Sequence, residues 1–130
     1  MNFSGQVVSG IGQGAQFLAL DWVVVQLRQQ FDLTPYPGTL NLRVSPEIRH
    51  RLFERRQEFR RIADPVSPDC PGYVTNVSLR ANGREHESAY LILPEKTMRH
   101  DVLEIIAGVS LREALALSDG DTVEVDSRLD

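Results

Sequence analysis

"VTNVSLRANGREHESAYLIL", residues 74–93, sets two runs rich in apolar and β-branched residues on either side of Asn82-Gly83. The runs 74–79 and 88–93 read as strands. Asn-Gly is the favoured pair where a tight hairpin needs positive φ at both central residues. An antiparallel hairpin is therefore expected here. Working outward from it, GQVVS (5–9), LNLRV (40–44), VLEII (102–106) and TVEVD (122–126) are further short strands. LNLRV alternates apolar and polar residues as a half-buried strand does.

Three helices are expected between them. The first starts with Asp21 as N-cap and carries Val23, Leu27 and Phe31 at four-residue spacing. The second starts at Ser45 with Pro46 in the first helical position, runs to residue 62, and sets Ile48, Leu52, Phe59 and Ile62 on one stripe. The third is short: Ser110 and Glu113 make a capping box ahead of Leu111, Leu115 and Leu117. DPVSPDCPG (64–72) reads as a loop, and no repeat, low-complexity tract or linker interrupts residues 1–130, so a single domain is expected. Strands scattered between single helices point to a mainly β fold with short helices, closed as a small barrel rather than layered as a parallel sheet.

Fourteen basic against eighteen acidic residues give a net charge of -4, which argues against a nucleic-acid binder. The single cysteine, Cys70, excludes an intrachain disulfide and builds no zinc site alone. No signal peptide is visible, and the longest apolar region is broken by Asp21 and too short to span a bilayer. A cytoplasmic setting without membrane contact is expected. The basic residues are thirteen arginines and one lysine, Lys96. Six arginines (49, 51, 55, 56, 60, 61) against three glutamates (47, 54, 58) make 46–62 basic, by default a solvated face.

Three constellations carry candidate chemistry. In VVSGIGQGAQF (7–17), Gly10, Gly12 and Gly14 alternate, as backbone that approaches a ligand closely requires, yet neither phosphate-loop pattern is present. In TPYPGTLNL (34–42), Tyr36 to Thr39 reads as a type II turn, after which Thr39 and Asn41 point to one side of a strand. A hydroxyl and an amide oxygen are hard neutral donors suited to magnesium, though a plain hairpin turn with solvent-facing polar residues fits the same spacing. In 93–125, Glu104 stands between Leu103 and Ile105, either as an exposed strand residue or as a buried functional acid. Ser110 and Arg112 open a helix, where free N–H groups attract anions, although ordinary capping explains Ser110 as well. The three histidines lack metal-site spacing, and no G-x-S-x-G supports a hydrolase.

Together, GQVVSGIGQGAQFLAL, PYPGTLNL and LPEKTMRHDVLEIIAGVSLREALALSDGDTVEV resemble the archaeal-type, CTP-dependent riboflavin kinase family, in the family's order over about residues 5–125. The stretch 45–72 adds nothing to the likeness. The resemblance implies a small cradle-loop barrel and transfer of the γ-phosphate of CTP to the 5′-hydroxyl of riboflavin, giving FMN and CDP. It implies that Ile11, Gly12, Gln13, Gly14, Ala15 and Gln16 wrap the cytidine nucleotide, with Val109, Ser110, Leu111 and Arg112 as a second nucleotide segment. Thr39 and Asn41 match magnesium ligands, and Thr97 and Glu104 match flavin contacts. Glu104 has the chemistry to orient or deprotonate the attacking hydroxyl. Charge neutralisation would fall to magnesium, backbone N–H groups and Arg112 or Lys96. The family carries proline where this chain has Gly108.

A second function class is a non-catalytic flavin- or nucleotide-sensing module on the same barrel. A third is suggested by the tail, which resembles that of swapped-hairpin transcription regulators, but the glycine loop and PGTLN have no place there. A monomer or homodimer acting on small molecules is expected.

Overall fold

The computed structural model describes residues 1–10, 13–96 and 99–129, with the backbone alone for residues 13–15. Its strands are β1 (Asn2–Val8), β2 (Leu40–Arg43), β3 (Arg60–Ile62), β4 (Gly72–Ala81), β5 (Arg84–Pro94), β6 (Val102–Ala107) and β7 (Thr122–Asp126). The helices are α1 (Gln13–Leu18), α2 (Asp21–Phe31), α3 (Pro46–Glu54) and α4 (Leu111–Ala114), with a 3₁₀ turn at Arg56–Glu58. Six strands close an antiparallel barrel in the order β4-β5-β6-β2-β1-β7, with β7 returning to β4. One edge of β4 is shared: Gly72–Val74 pairs with β3 and Ser78–Arg80 pairs with β7.

Asn82-Gly83 makes the expected hairpin, with φ of 54° and 70°. The Asn82 amide also donates to the carbonyls of Leu115 and Ala116, both at 2.9 Å, so the turn ties off the end of α4. Strand alternation builds two apolar layers. Leu42, Leu79, Leu91, Leu103, Ile105 and Val123 fill the barrel. On the outer wall, Ile62, Val74, Ile92 and Ile106 lie under Val23 and Leu27 of α2. Each fully buried aliphatic side chain contributes roughly 1.5–3 kcal/mol, so this outer layer is what fixes α2 to the wall. Gln26 locks the join, donating to the Ala63 carbonyl at 2.6 Å and accepting from its N–H at 3.1 Å.

Four local expectations are corrected. The helix expected over 46–62 ends at Glu54; after the 3₁₀ turn, Phe59 is extended and Ile62 belongs to β3, so the stripe is broken between two elements. Pairing of Arg60–Ile62 with β4 outweighs the four-residue spacing. Residues 13–16, expected as part of an open loop, lie in α1. Leu20 rather than Asp21 is the N-cap of α2, and Asp21 sits in the first turn, where a carboxylate suits the helix dipole. Tyr36–Thr39 is a bend with Gly38 at φ 151°, well away from the roughly +80° of a type II turn. Ser45 and Ser110 cap α3 and α4 as expected, their hydroxyls accepting from Ile48 N and Glu113 N.

Candidate active site

Strand register decides which polar residues meet. Asn41 of β2 lies opposite Val8 of β1 on one side and Glu104 of β6 on the other, and Glu104 in turn faces Ile92 of β5. These four form one row across the outer wall of the barrel, because Leu40, Leu42, Leu103 and Ile105 turn inward. Directly opposed strand residues are near neighbours. The amide and the carboxylate that the sequence placed 63 positions apart thus share one patch.

A cleft of about 170 Å³ opens above this row, walled by Gly10, Phe17, Asn41, Arg49, Lys96 and Glu104 among others. A larger groove of about 580 Å³ lies against β1, β4 and β7 but holds none of the candidate residues. Chemistry rather than volume assigns the site to the smaller cleft.

Glu104 is half-buried and has no hydrogen bond or ion pair among the described residues. Burial pushes its carboxyl above the ordinary glutamate range. An acid in that condition is a better base than a solvated one. Beside it, the Asn41 amide nitrogen lies 3.4 Å from Thr39 Oγ1 and 3.4 Å from the Thr39 carbonyl. Thr39 and Asn41 therefore point the same way, as their spacing requires. A half-turn of the amide exchanges its nitrogen for its oxygen and turns two neutral oxygens to one side, a donor set that fits magnesium. No group of three His, Cys, Asp or Glu side chains placed to hold a metal occurs among the described residues. Gly10 runs so close that a Cβ there would overlap the Asn41 amide.

The end of β1 and the residues around α4 meet at the rim. Ser9 Oγ donates to Asp119 Oδ2 at 2.8 Å, and Arg112 Nη2 donates to Asp119 Oδ1 at 2.7 Å and to the Val8 carbonyl at 3.5 Å. Asp119 joins the end of β1 to α4, and the Arg112 hydrogen bond, then that of Ser9, hold its carboxyl below the usual range. Tyr36 N–H donates to the Ala107 carbonyl at 2.8 Å, setting the PYPGT bend beside the residues that lead into Val109–Arg112. Val109 is exposed, Ser110 caps α4, and Leu111 sinks its side chain into the core. Gln16 is exposed on α1. Ile11, Gly12 and Thr97 lie outside the described residues, and Gln13, Gly14 and Ala15 are placed as helical backbone.

Sequence reasoning missed three residues here. Asp119 looked like a turn former in SDGD, Phe17 was only the last residue of the glycine-rich stretch, and Arg49 looked like one of six surface arginines. Nothing local separates them from those roles, because only the closed barrel brings them to the site.

A protein-family model for the CTP-dependent riboflavin kinase domain, described as the domain of unknown function DUF120, matches residues 7–126. A riboflavin kinase of Pyrobaculum islandicum is 35% identical over 133 residues, covering 100% of this chain and 62% of its own length. One from Archaeoglobus fulgidus is 37% identical, covering 97% of this chain and 54% of its own. One from Methanobrevibacter smithii is 33% identical, covering 97% of this chain and 99% of its own. The chain thus spans little more than half the length of the first two relatives and nearly all of the third.

Proposed function

The chain belongs to the CTP-dependent riboflavin kinase family, and on that premise we propose that it transfers the γ-phosphate of CTP to the 5′-hydroxyl of riboflavin, yielding FMN and CDP. The observation that carries this reading is the register pair Asn41–Glu104, with Thr39 alongside, on the wall of a cleft. A neutral oxygen pair and a base-like carboxylate side by side are what phosphoryl transfer to an alcohol calls for. Phe17 supplies an apolar wall for a flavin ring.

In this reading Thr39 and Asn41 hold Mg²⁺, which supplies charge neutralisation at the phosphates. Glu104 accepts the proton of the attacking hydroxyl and orients its lone pair; its elevated pKa brings its basicity closer to that task. The nucleotide lies between residues 11–16 and Val109–Arg112, with the flavin over Glu104 and Thr97. Arg112 pairs with Asp119 at 2.7 Å and organises the rim. Holding donor and acceptor in line is the largest service such a site performs.

The test is direct. Folded protein is incubated with riboflavin, magnesium and each nucleoside triphosphate in turn, and FMN is measured. FMN with CTP above all other donors is expected. Flavin binding without FMN from any triphosphate would replace the kinase reading with the sensing module.

A further inference from the structure

The basic stretch around α3 is mostly neutralised locally. Arg51 pairs with Glu47 at 3.8 Å, Arg55 makes a two-pronged contact to Glu58 at 2.6 and 2.8 Å, and Arg56 reaches Glu95 at 3.9 Å. Arg49 differs. It is only 6% exposed, its Nη2 is buried with no hydrogen-bond partner, and no ion pair reaches it among the described residues. Its guanidinium carbon lies 5.6 Å from the centre of the Phe53 ring. A guanidinium stripped of water and left unpaired is strongly unfavourable, and burial depresses its pKa accordingly.

Arg49 borders the cleft that holds Asn41 and Glu104, and it also borders the neighbouring cleft lined by His50 and His100. Lys96, the only lysine, stands exposed at the edge of both. Arg99 lines the same cleft but lies 3.3 Å from Asp101. Glu104 sets a carboxylate where a highly charged phosphate must come, so cations beside the magnesium that Thr39 and Asn41 would hold favour that phosphate. Among the described residues of the cleft, Arg49 and Lys96 line it without an acidic partner, and Arg49 is the buried one.

We infer that Arg49, assisted by Lys96, forms a subsite for the phosphoryl group in transit: the terminal phosphate of the nucleotide before transfer and the phosphate monoester of the flavin after it. The inference rests on the kinase reading for its ligands. The planar guanidinium fork matches phosphate oxygens two at a time and costs less desolvation than an ammonium, which suits a buried position. A bound phosphate also supplies the partner that Nη2 lacks.

The experiment compares wild type, Arg49→Met and Arg49→Lys in the presence of magnesium, titrating riboflavin, FMN, CDP and CTP separately by calorimetry. Met keeps the length and apolar contact of the side chain while removing an unpaired charge, so its thermal midpoint should equal or exceed that of wild type. Affinity for a phosphate-bearing ligand should fall roughly ten- to a hundredfold in Arg49→Met, with riboflavin unchanged and Arg49→Lys intermediate. Loss for CTP but not CDP places the nucleotide's terminal phosphate in the subsite; loss for FMN places the monoester there. Wild-type affinities for both in Arg49→Met overturn the inference, as does an equal loss for riboflavin. Should Arg49→Met not fold, the same comparison is read from Arg49→Lys. If wild type makes no FMN at all, the kinase reading fails separately. The subsite is then judged with pyrophosphate alone: thermal stabilisation of wild type but not of Arg49→Met supports it, and equal stabilisation overturns it.

Discussion

Gly10 lets the chain pass the Asn41 amide so closely that a Cβ there would displace it. Its role follows from contact and not from unusual dihedral angles, since its φ is outside the left-handed range. Gly10→Ala should push the amide aside and weaken apparent magnesium affinity by about tenfold, the usual scale for disturbing the support of a metal ligand. Combined with Asn41→Ala it should add little, because the two changes act on one group. Magnesium titration of the four proteins checks this, and additive losses would separate Gly10 from the metal site. Glu104 carries a pH signature as well. Its pKa is raised by burial above the ordinary 4.5, so the folded chain holds that proton more tightly than the unfolded chain. Stability from this residue therefore falls as pH rises through the unfolded and then the folded value. Glu104→Gln should have a higher thermal midpoint than wild type at pH 7–8 and no advantage below about pH 4. Its turnover should fall by roughly 10²–10⁴-fold with riboflavin affinity little changed. A variant that is less stable at neutral pH, or that keeps its turnover, would make Glu104 a structural residue. At this scale the sequence was legible where a residue type answers a local demand, as at Asn82-Gly83. It was silent on Arg49, whose five neighbours in sequence type are all solvated or paired.

Elements were legible where one face is buried and neighbours in the chain settle the matter. LNLR and TVEVD alternate cleanly, and their inward residues belong to the barrel core. The failures have physical causes. QGAQFL contains a glycine, poor in helix propensity, so α1 depends on tertiary packing: Phe17 meets the Trp22 edge at 5.8 Å, and Leu18 joins the outer apolar layer. Phe59 and Ile62 kept helical spacing with Ile48 and Leu52 by coincidence, while the edge of β4 offered backbone partners that a longer helix would have forfeited. Glycine in a strand was the overlooked sign. At Gly5, opposite Val123 of β7 and one residue before β1 begins to pair with β2, a Cβ would stand 3.0 Å from the Arg43 carbonyl oxygen and 3.0 Å from Val44 Cγ1. A backbone oxygen cannot rotate away as a side chain does. Gly5→Ala should cost about 1–3 kcal/mol, the penalty of overpacking, seen as a lower urea midpoint with an unchanged slope. An unchanged midpoint would mean that β1 shifts freely at this point.

For the whole molecule, closure is what the sequence conceals and what function uses. Alternation tells which way a side chain points but not which strand it meets, so neither the β4–β7 seam nor the Val8–Asn41–Glu104–Ile92 row could be read from the chain alone. The family likeness covered both ends of the molecule, yet the device that joins them, Asp119, lay inside an apparently ordinary turn. Ser9 and Asp119 are 110 residues apart, and closure of β1 onto β7 makes them hydrogen-bonding neighbours. Asp119 is exposed and its ion pair with Arg112 is screened, so Asp119→Ala should leave the thermal midpoint nearly unchanged. What it removes is the link between Ser9, just before residues 11–16, and Arg112. If both segments grip one nucleotide, CTP affinity should fall several-fold while riboflavin affinity stays at the wild-type value, because Asn41, Glu104 and Phe17 are held by the barrel wall and not by the rim. Raising ionic strength should weaken CTP binding in both proteins, and more steeply in wild type, where salt also weakens the link that the variant already lacks. Calorimetry with each ligand at two salt concentrations is the measurement. An equal loss for both ligands would mean that Asp119 supports the whole cleft, and no loss for either would leave the two segments independent of each other.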